Sequence, residues 1–530
     1  MTLKVSHSGL VSEAIAKFVP DLVSEKIASR IFAKDHTLWG KDAEEESAVR
    51  LGWVDAAKNA LALIPDLKQL RAQLASQGLD RVVLCGMGGS SLAPEVMART
   101  AGKELVVLDS TDPSEVRAAL SGDLSKTVVV VSSKSGSTVE TDSQKRSFEA
   151  AFEAAGIDKR TRIFIVTDPD SPMHKQATVD GYRTFLADPT VGGRYSGLTA
   201  FGVVPTMLAG CDTEKILQSA IAATEALSSD DLHNPGLLLG AAIARTANNS
   251  GFKDKLGFVP AGSPIVGFGD WVEQLIAEST GKLGRGVLPV VLESNSYELN
   301  AGMDDLLLVA LAEDADSTGF ELAVSGDLGE MMLAWEVATA VASRLLGVNP
   351  FDQPDVESAK IAARALLESP ADGLEYTASS LGVDFAALGF ELRSSEIGDN
   401  LAQFFSLAGE GSYLSVHCYL NREQFPEAQK LRDQIAQRTN RPTTIGWGPR
   451  FLHSTGQYHK GGPKQGVFLQ IVSGDGDDLQ IPGRTFGYRQ LIDSQASGDA
   501  KVLFEAGSKV LVLRLANLEQ GIKDLIGALS

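Results

Sequence analysis

From Arg81 onward the chain alternates between short apolar segments rich in valine and isoleucine and longer segments with helical spacing. RVVLC, KTVVVVSS and RIFIVTD are apolar segments of this kind, and a helical stretch over about 138–155 separates the last two. A parallel strand is buried on both faces and needs a crossover, usually a helix, before the next strand. The alternation therefore predicts a largely parallel sheet with helices on both faces.

The rest of the chain extends this pattern in both directions. Residues 1–75 carry apolar positions at helical spacing, and a second series of apolar strands begins near Leu256. A chain of 530 residues is too long for one typical core. We therefore predict an α/β fold of two doubly wound parallel-sheet domains behind an N-terminal helical arm. The predicted boundaries are 1–75 for the arm, 76–253 for the first domain, and 254–530 for the second domain with a C-terminal extension.

Composition limits the partners and the compartment. A formal net charge of −20 argues against a nucleic-acid partner, although a local site can still be positive. Cys85, Cys211 and Cys418 are widely spaced and odd in number, which argues against a disulfide framework or a thiolate metal site. The start of the chain lacks the pattern of a secretory signal, and no apolar run approaches the roughly 20 residues that span a bilayer. These features predict a cytoplasmic protein without a membrane partner.

Two loops after predicted strands could bind an anion. Gly86-Met87-Gly88-Gly89-Ser90-Ser91 follows RVVLC and opens a helix, so backbone N–H groups could approach a ligand there. A tight turn needs glycine in any case, and the spacing does not fit the GxGxxG dinucleotide motif. The candidate binding residues of this loop are Gly88, Gly89 and Ser90.

The second loop is the stronger candidate. Ser132-Ser133-Lys134-Ser135-Gly136-Ser137-Thr138 follows VVVV and again opens a helix. A helix N-cap needs one hydroxyl, whereas this segment has five and a lysine. Phosphate oxygens only accept hydrogen bonds, so hydroxyls and backbone amides at a helix N-terminus suit a phosphate group. The segment predicts a phosphate site that includes Ser133, Lys134, Ser135 and Thr138, at the crevice expected where parallel strands end.

Further segments would be unremarkable if each stood alone. Glu278 ends a helical segment at ESTGK, and Arg194 lies in the glycine turn GGRYS. Lys360 closes FDQPDVESAK, and His453 begins HSTGQ among glycines and polar residues. A charged residue in such a position is most often solvated.

Together with the two loops, however, these segments resemble the glucose-6-phosphate isomerase family. GMGGSSLAPEV and SSKSGSTVET resemble its sugar isomerase domain, and ESTGK, GGRYS, FDQPDVESAK and HSTGQ resemble its remaining motifs. The resemblance implies an aldose–ketose isomerase that acts on a hexose phosphate without a metal or redox cofactor.

The resemblance also implies roles for the motif residues. Glu278 would be the general base and Arg194 would stabilise an enediolate, while His453 would open the sugar ring. Gln353 and Lys360 would contact the sugar, and Lys360 would assist the ring chemistry. Ser133, Ser135 and Thr138 would bind the phosphate above the turn of Gly88, Gly89 and Ser90. A carboxylate beside an imidazole orients it and sustains its charge, which is the role we predict for Glu140.

The order of the motifs departs from the common family pattern. His453 follows Lys360 by nearly a hundred residues, whereas the histidine motif usually comes first. This order is similar to the isomerase half of transaldolase–glucose-6-phosphate isomerase fusions. In the family the histidine reaches the site from the partner subunit of a dimer. The resemblance therefore implies a homodimer, and with that geometry a lone protomer would be inactive.

Three alternatives stay open at this point. One is a dual phosphoglucose/phosphomannose isomerase. A second is glucosamine-6-phosphate synthase, which uses an N-terminal cysteine nucleophile, whereas this chain has no cysteine before Cys85. The third is a non-catalytic sugar-phosphate sensor, although the acidic stretch 42–46 in the helical arm does not resemble a DNA-binding surface.

Overall fold

The computed structural model describes residues 3–249, 251–368, 374–394, 396–474, 476 and 478–529. The side chains at positions 357, 359, 360 and 368 lie outside the description. The strands are β1 (Lys4–His7), β2 (Arg81–Gly86), β3 (Val106–Leu108), β4 (Thr127–Ser132), β5 (Ile163–Thr167), β6 (Arg183–Leu186), β7 (Lys255–Ala261), β8 (Leu288–Val291), β9 (Leu306–Ala312), β10 (Leu322–Ser325), β11 (Ala378–Ser380), β12 (Val383–Leu388), β13 (Tyr413–Tyr419), β14 (Thr443–Trp447), β15 (Gly466–Ser473) and β16 (Lys509–Leu515).

Helices connect and cover these strands. They are α1 (Gly9–Ser24), α2 (Ile27–Phe32), α3 (Glu44–Ser47), α4 (Ala56–Ala60), α5 (Ile64–Ser76), α6 (Leu92–Thr100), α7 (Pro113–Leu120), α8 (Val139–Ala154), α9 (Pro172–Asp180), α10 (Ala200–Ala209), α11 (Thr213–Ser228), α12 (Pro235–Arg245), α13 (Phe268–Thr280), α14 (Leu328–Leu346), α15 (Val356–Glu368), α16 (Ile397–Phe405), α17 (Gln429–Thr439), α18 (Gly456–Gly461), α19 (Tyr488–Glu505) and α20 (Leu518–Leu529). None of these helices combines the length and the apolar character that crossing a bilayer requires.

The first sheet has the strand order β3-β2-β4-β5-β6 and is parallel throughout. Every residue of β4 is buried, as expected for a strand that is covered on both faces. The chain runs from β2 outward to β3 and then returns to the other side of β2 with β4. This reversal opens a crevice at the carboxyl ends of β2 and β4, which is where α/β sheets bind their ligands.

The second sheet has the order β1-β10-β9-β7-β8. Strands β7 to β10 are parallel to their neighbours, whereas β1 pairs antiparallel with β10, so the predicted helical arm also contributes an edge strand. The third sheet has the order β11-β12-β16-β15-β13-β14. Its strands β13 to β16 are parallel, and the hairpin of β11 and β12 adds antiparallel strands at one edge.

The predicted α/β class with largely parallel sheets is confirmed, with one difference. Strands after residue 254 belong to two separate sheets rather than one. The reason is that strand periodicity predicts where strands occur but not which strands share hydrogen bonds. The domain boundaries at 75/76 and 253/254 stay a prediction.

The C-terminal part of the chain returns to the first sheet. Tyr488 and Leu491 of α19 join the apolar core that covers one face of this sheet. The Tyr488 hydroxyl lies 2.9 Å from Oγ of Ser147 on α8, and α19 also packs along α15. Side chains of α15, α19 and the loop before α18 therefore reach the crevice of the first sheet.

Candidate functional site

The two glycines of the turn after β2 allow two other loops to approach. A Cβ on Gly88 would lie 2.7 Å from the carbonyl oxygen of His453, and a Cβ on Gly89 would lie 1.9 Å from that of Gly193. Neither position has room for a side chain. Gly88, Gly89 and Ser90 are buried, so this turn forms the floor on which the loops carrying Arg194 and His453 rest.

The hydroxyl-rich loop after β4 forms one wall of the site. Oγ of the buried Ser133 lies 3.1 Å from Oγ1 of Thr138 and accepts a hydrogen bond from the Gly136 amide at 3.2 Å. Thr138 is the N-cap of α8, yet its side chain accepts no hydrogen bond from that helix. The first turn of α8 therefore has amide donors that no cap side chain occupies, beside the exposed Ser135.

A cavity of about 250 Å³ extends from this wall toward His453. Its lining brings together several predicted residues from different parts of the chain with residues that were not predicted. The lining residues are Ser135, Ser137, Thr138, Val139, Glu140, Val356, Ala363, Arg364, Leu367, Leu452, His453, Leu491 and Gln495.

Lys134 does not line this cavity. Its ammonium group forms an ion pair with Asp168, which follows β5. Burial lowers the pKa of Lys134, and the neighbouring Asp168 carboxylate only partly offsets this effect. The structure thus separates Lys134 from the hydroxyls with which the sequence analysis grouped it.

Glu278 and Arg194 form a buried pair. Glu278 lies in the last turn of α13 and is 5% exposed, while Arg194 is 4% exposed. Arg194 Nε lies 3.3 Å from Glu278 Oε2. Burial raises the pKa of Glu278, and the positive charge of Arg194 followed by that of His453 offsets part of the rise. The raised pKa makes this carboxyl group a stronger proton acceptor than an ordinary glutamate, as a general base requires.

The guanidinium of Arg194 is only partly satisfied. Its Nη2 donates to the carbonyl oxygens of residues 351 and 352 and to Oε1 of Gln353, at distances of 3.0–3.1 Å. Its Nη1 is buried and has no hydrogen-bond partner within the described part of the chain. A buried unpaired donor is costly unless a ligand satisfies it. Beside the carboxylate of Glu278, this donor marks a position for an anionic oxygen.

His453 completes the cavity within its own chain. Its Nε2 lies 3.1 Å from Oε1 of Glu140, in agreement with the predicted pairing. Its carbonyl oxygen accepts from Nε2 of Gln274 on α13 at 2.8 Å, so the His453 loop is fixed to the helix that carries Glu278. His453 thus lies beside Glu140 of its own chain, and its implied contribution to a partner subunit's site stays a prediction.

The backbone of Lys360 lies in α15, and its side chain lies outside the description. Position 360 is four residues from Val356 and from Arg364, both of which line the cavity. Residues at this spacing share a helix face. The backbone thus places Lys360 next to the site, and its role stays a prediction.

The sequence analysis missed residues that hold these motifs together. Lys282 is 1% exposed and donates to Oδ1 of Asp352 at 2.6 Å, and its pKa is lowered to about 8 by burial and by Arg194. Gln457 donates to the carbonyl oxygen of Gly281 at 2.9 Å and to Oδ2 of Asp355 at 2.7 Å. Lys282 lies in the motif ESTGK and Gln457 in the motif HSTGQ, so the motifs could have identified both residues.

Gln495, a further residue that the sequence analysis missed, lies in none of the motifs. It lies on α19, and its Nε2 donates to Oε1 of Glu140 at 2.7 Å while its Oε1 accepts from the hydroxyl of Thr111 at 2.7 Å. Glu140 is therefore oriented by a residue 355 positions away along the chain.

A larger cavity, of about 650 Å³, lies beside the first turns of α13 rather than the last. Its arginines are already paired, since Arg450 contacts Glu95 and Asp109 and Arg422 also contacts Glu95. Neither Glu278 nor Arg194 lines it. These two residues do not line the smaller cavity either, but Glu140 and His453 of the motifs do.

Comparison with known proteins agrees with this geometry. The family model of phosphoglucose isomerase matches residues 70–287, which include both loops, Arg194 and Glu278. Over this segment the chain is similar to phosphoglucose isomerases. A probable glucose-6-phosphate isomerase of Natronomonas pharaonis is 28% identical over 362 residues, which are 58% of this chain and 84% of that protein. A glucose-6-phosphate isomerase of Leuconostoc mesenteroides is 26% identical over 442 residues, which are 69% of this chain and 97% of that protein.

A solved structure shows the same fold. The crystal structure of a glucose-6-phosphate isomerase from Chlamydia trachomatis aligns with a TM-score of 0.53 and 20% identity, covering 69% of this chain and 85% of that one. The family match ends at residue 287, so His453 and Lys360 lie outside the matched segment. The assignment of those two residues therefore depends on the motifs and on the geometry described above.

Proposed function

We propose that this chain is a glucose-6-phosphate isomerase that interconverts glucose 6-phosphate and fructose 6-phosphate. The observation that carries the proposal is the buried pair of Glu278 and Arg194, in which the carboxyl pKa is raised and one guanidinium donor has no partner. A carboxylate that moves a proton and a cation that holds an oxyanion are the two groups that an aldose–ketose isomerisation requires. Relatives named glucose-6-phosphate isomerase support this choice.

In this mechanism the loop after β4 binds the phosphate group. Hydroxyls of Ser133, Ser135 and Thr138 and amides of the first turn of α8 donate to its oxygens, and the helix N-terminus adds favourable potential. The sugar then extends from the loop toward His453. Gln353, which Arg194 already holds, lies beside the sugar and contacts its hydroxyls.

His453 opens the ring. Its contact with Glu140 at 3.1 Å orients the imidazole, which donates a proton to the ring oxygen. As the bond from that oxygen to C1 breaks, the C1 hydroxyl loses its proton and a C1 carbonyl forms. Lys360, by its place in the family motif, assists this step.

Glu278 then transfers the proton between carbons. Its carboxylate removes the proton from C2, a double bond forms between C1 and C2, and the electrons of the carbonyl move to O1. Nη1 of Arg194 donates to the resulting enediolate oxygen. Glu278 returns the proton to C1 while the proton of the O2 hydroxyl passes to O1, so that O1 becomes a hydroxyl and O2 becomes the new carbonyl. No electrons leave the sugar, so the chain itself supplies every group that the reaction uses.

We further propose a cytoplasmic homodimer with the domains 1–75, 76–253 and 254–530. The family resemblance supports the dimer, and the first sheet falls within the second of these ranges. The sensor alternative is disfavoured, because a protein that only binds a sugar phosphate has no need for a buried base beside a spare guanidinium donor.

The direct test is turnover of fructose 6-phosphate by the full chain. We expect glucose 6-phosphate to form, measured as NADPH in an assay coupled to glucose-6-phosphate dehydrogenase. The rate should be unchanged after dialysis against EDTA, because the proposed steps are acid–base steps. Mannose 6-phosphate, assayed separately, tests the dual isomerase alternative. If the enzyme turned over neither fructose 6-phosphate nor glucose 6-phosphate, the proposal would be wrong.

Whether His453 serves its own chain can be tested by mixing inactive variants. Glu278→Gln and His453→Ala are each expected to be inactive, and a coexpressed mixture should remain inactive because both residues lie in one site of one chain. If the histidine came from the partner, each mixed dimer would contain one intact site. Recovered turnover in the mixture, with mixed dimers verified by tandem tags, would contradict the geometry.

A further inference from the structure

The only cationic side chain of the loop after β4 forms an ion pair outside the cavity. Lys134 is the sole lysine or arginine between residues 132 and 141, and it is paired with Asp168 outside the cavity. The cavity itself also contains the carboxyl group of Glu140. A phosphate dianion placed against the hydroxyls of this loop would therefore need a counter-charge from another element.

Arg364 is in a position to supply that charge. Among the described side chains that line the cavity of about 250 Å³, it is the only lysine or arginine, and His453 is the only other basic group. Arg364 lies on α15, and its neighbours Ala363 and Leu367 line the same cavity. Ser135, Ser137 and Thr138, at the start of α8, line this cavity as well.

The guanidinium of Arg364 is also uncommitted. Within the part of the chain that the structure describes, Arg364 is exposed and forms no ion pair or hydrogen bond with another side chain. Lys134, by contrast, is held in place by Asp168. An arginine offers a planar fork of donors that matches two phosphate oxygens at once, and its charge does not depend on pH in the physiological range.

We propose that Arg364 binds the phosphate group of the substrate and sets the preference for a phosphorylated sugar. The inference rests on the proposed isomerase function and adds a residue that the family motifs do not contain. Hydroxyls and amides of the loop after β4 would satisfy one side of the phosphate, and Arg364 would close the other side from α15. Because Lys360 lies one turn earlier on the same helix, phosphate binding by Arg364 would also fix the helix that carries it.

The test is the kinetics of Arg364→Gln and Arg364→Lys. Charge-assisted hydrogen bonds contribute about 1.5–3 kcal/mol, so we expect KM for fructose 6-phosphate to rise roughly 10- to 100-fold in the glutamine variant while kcat stays near the wild-type value. The lysine variant should show a smaller rise, because it keeps the charge but loses the fork. Arg393→Gln, an exposed arginine outside the cavity, is the control for the change in net charge.

A second measurement separates this inference from the proposed function. Inorganic phosphate should bind the wild-type chain more tightly than Arg364→Gln in a calorimetric titration, whether or not the chain turns over sugar phosphates. Unchanged KM and unchanged phosphate affinity would overturn the inference. So would an equal loss of affinity for fructose, which has no phosphate. If the glutamine variant does not fold, as judged by circular dichroism, a lysine variant with wild-type phosphate affinity supports the role of the charge, and one with no affinity overturns it.

Discussion

Replacing Glu278 by glutamine is expected to lower kcat for fructose 6-phosphate by about 100- to 10,000-fold, the usual contribution of a general base. The amide has nearly the shape of the carboxylate, so the site should still bind substrate and KM should change little. The amide cannot accept the C2 proton. The measurement is the coupled assay, together with the exchange of deuterium from solvent into C2 of glucose 6-phosphate, which reports the proton transfer itself.

Glu273→Gln is the matched control. Glu273 lies five residues earlier on the same helix, and burial followed by Asp270 raises its pKa to about 8, yet it lines the larger cavity. This variant should keep the wild-type kcat. A rate loss in both variants, or continued C2 exchange in Glu278→Gln, would mean that the base has been assigned wrongly.

The pH dependence of activity distinguishes a catalytic Glu278 from one that is only structural, because a structural residue would not set the acid limb of the profile. A base must be ionised to act, and burial raises the pKa of Glu278 above its ordinary value. Activity should therefore fall on the acid side at a higher pH than the value of about 4.3 of a free glutamate. Arg194 and His453 oppose this rise, so the acid limb should lie at a lower pH than burial alone would give.

The sequence predicted most of the secondary structure because its signals are local. The helix expected over about 138–155 appears as α8, and the apolar segments RVVLC, KTVVVVSS and RIFIVTD appear as β2, β4 and β5. The strand Lys4–His7 was missed, because a four-residue edge strand takes its stability from pairing with β10, more than 300 residues away. The separation of the second and third sheets was missed for the same reason, since pairing is not encoded in periodicity.

At the site, too, the sequence predicted the local features but not the long-range contacts. Glu278, Arg194, Glu140 and His453 stand in motifs, and the fold brings them together around one crevice. Lys134 also lies in a motif, but it forms an ion pair with Asp168. The sequence around position 134 does not predict this partner. The contact of Gln495 with Glu140 likewise depends on α19 crossing the first sheet. Motifs thus predict which residue types are present, and only the packing decides which of them face the ligand.

Breaking the buried ion pair of Lys460 and Asp499 is expected to have the largest effect on stability. Lys460 Nζ lies 2.6 Å from Asp499 Oδ1, and the two side chains are 3% and 0% exposed. Gln470 donates to the other carboxylate oxygen at 3.0 Å. The pair joins α19 to α18, the short helix that follows His453. Asp499→Asn leaves a buried ammonium without its counter-charge, which costs about 3–5 kcal/mol of unfolding free energy.

The measurement is urea denaturation followed by circular dichroism, with Lys523→Met as the control. Lys523 forms an i,i+4 pair with Glu519 in which both side chains are exposed, so its loss should leave the free energy of unfolding close to that of the wild type. The double variant Lys460→Met/Asp499→Leu removes both charges and should recover part of the stability, because the cost arises mainly from an unpaired buried charge.

The pH dependence of this pair follows from the direction of the shift. Burial alone would raise the pKa of Asp499, but Lys460 and then His417 outweigh it and hold the pKa well below its usual range. The stabilisation is therefore complete above the unfolded-state pKa of about 3.9 and is lost as the pH falls below it. The difference in unfolding free energy between wild type and Asp499→Asn should therefore decrease over that acid range. A gap that stayed constant down to the acid transition would show that the carboxylate charge is not what stabilises α18 against α19.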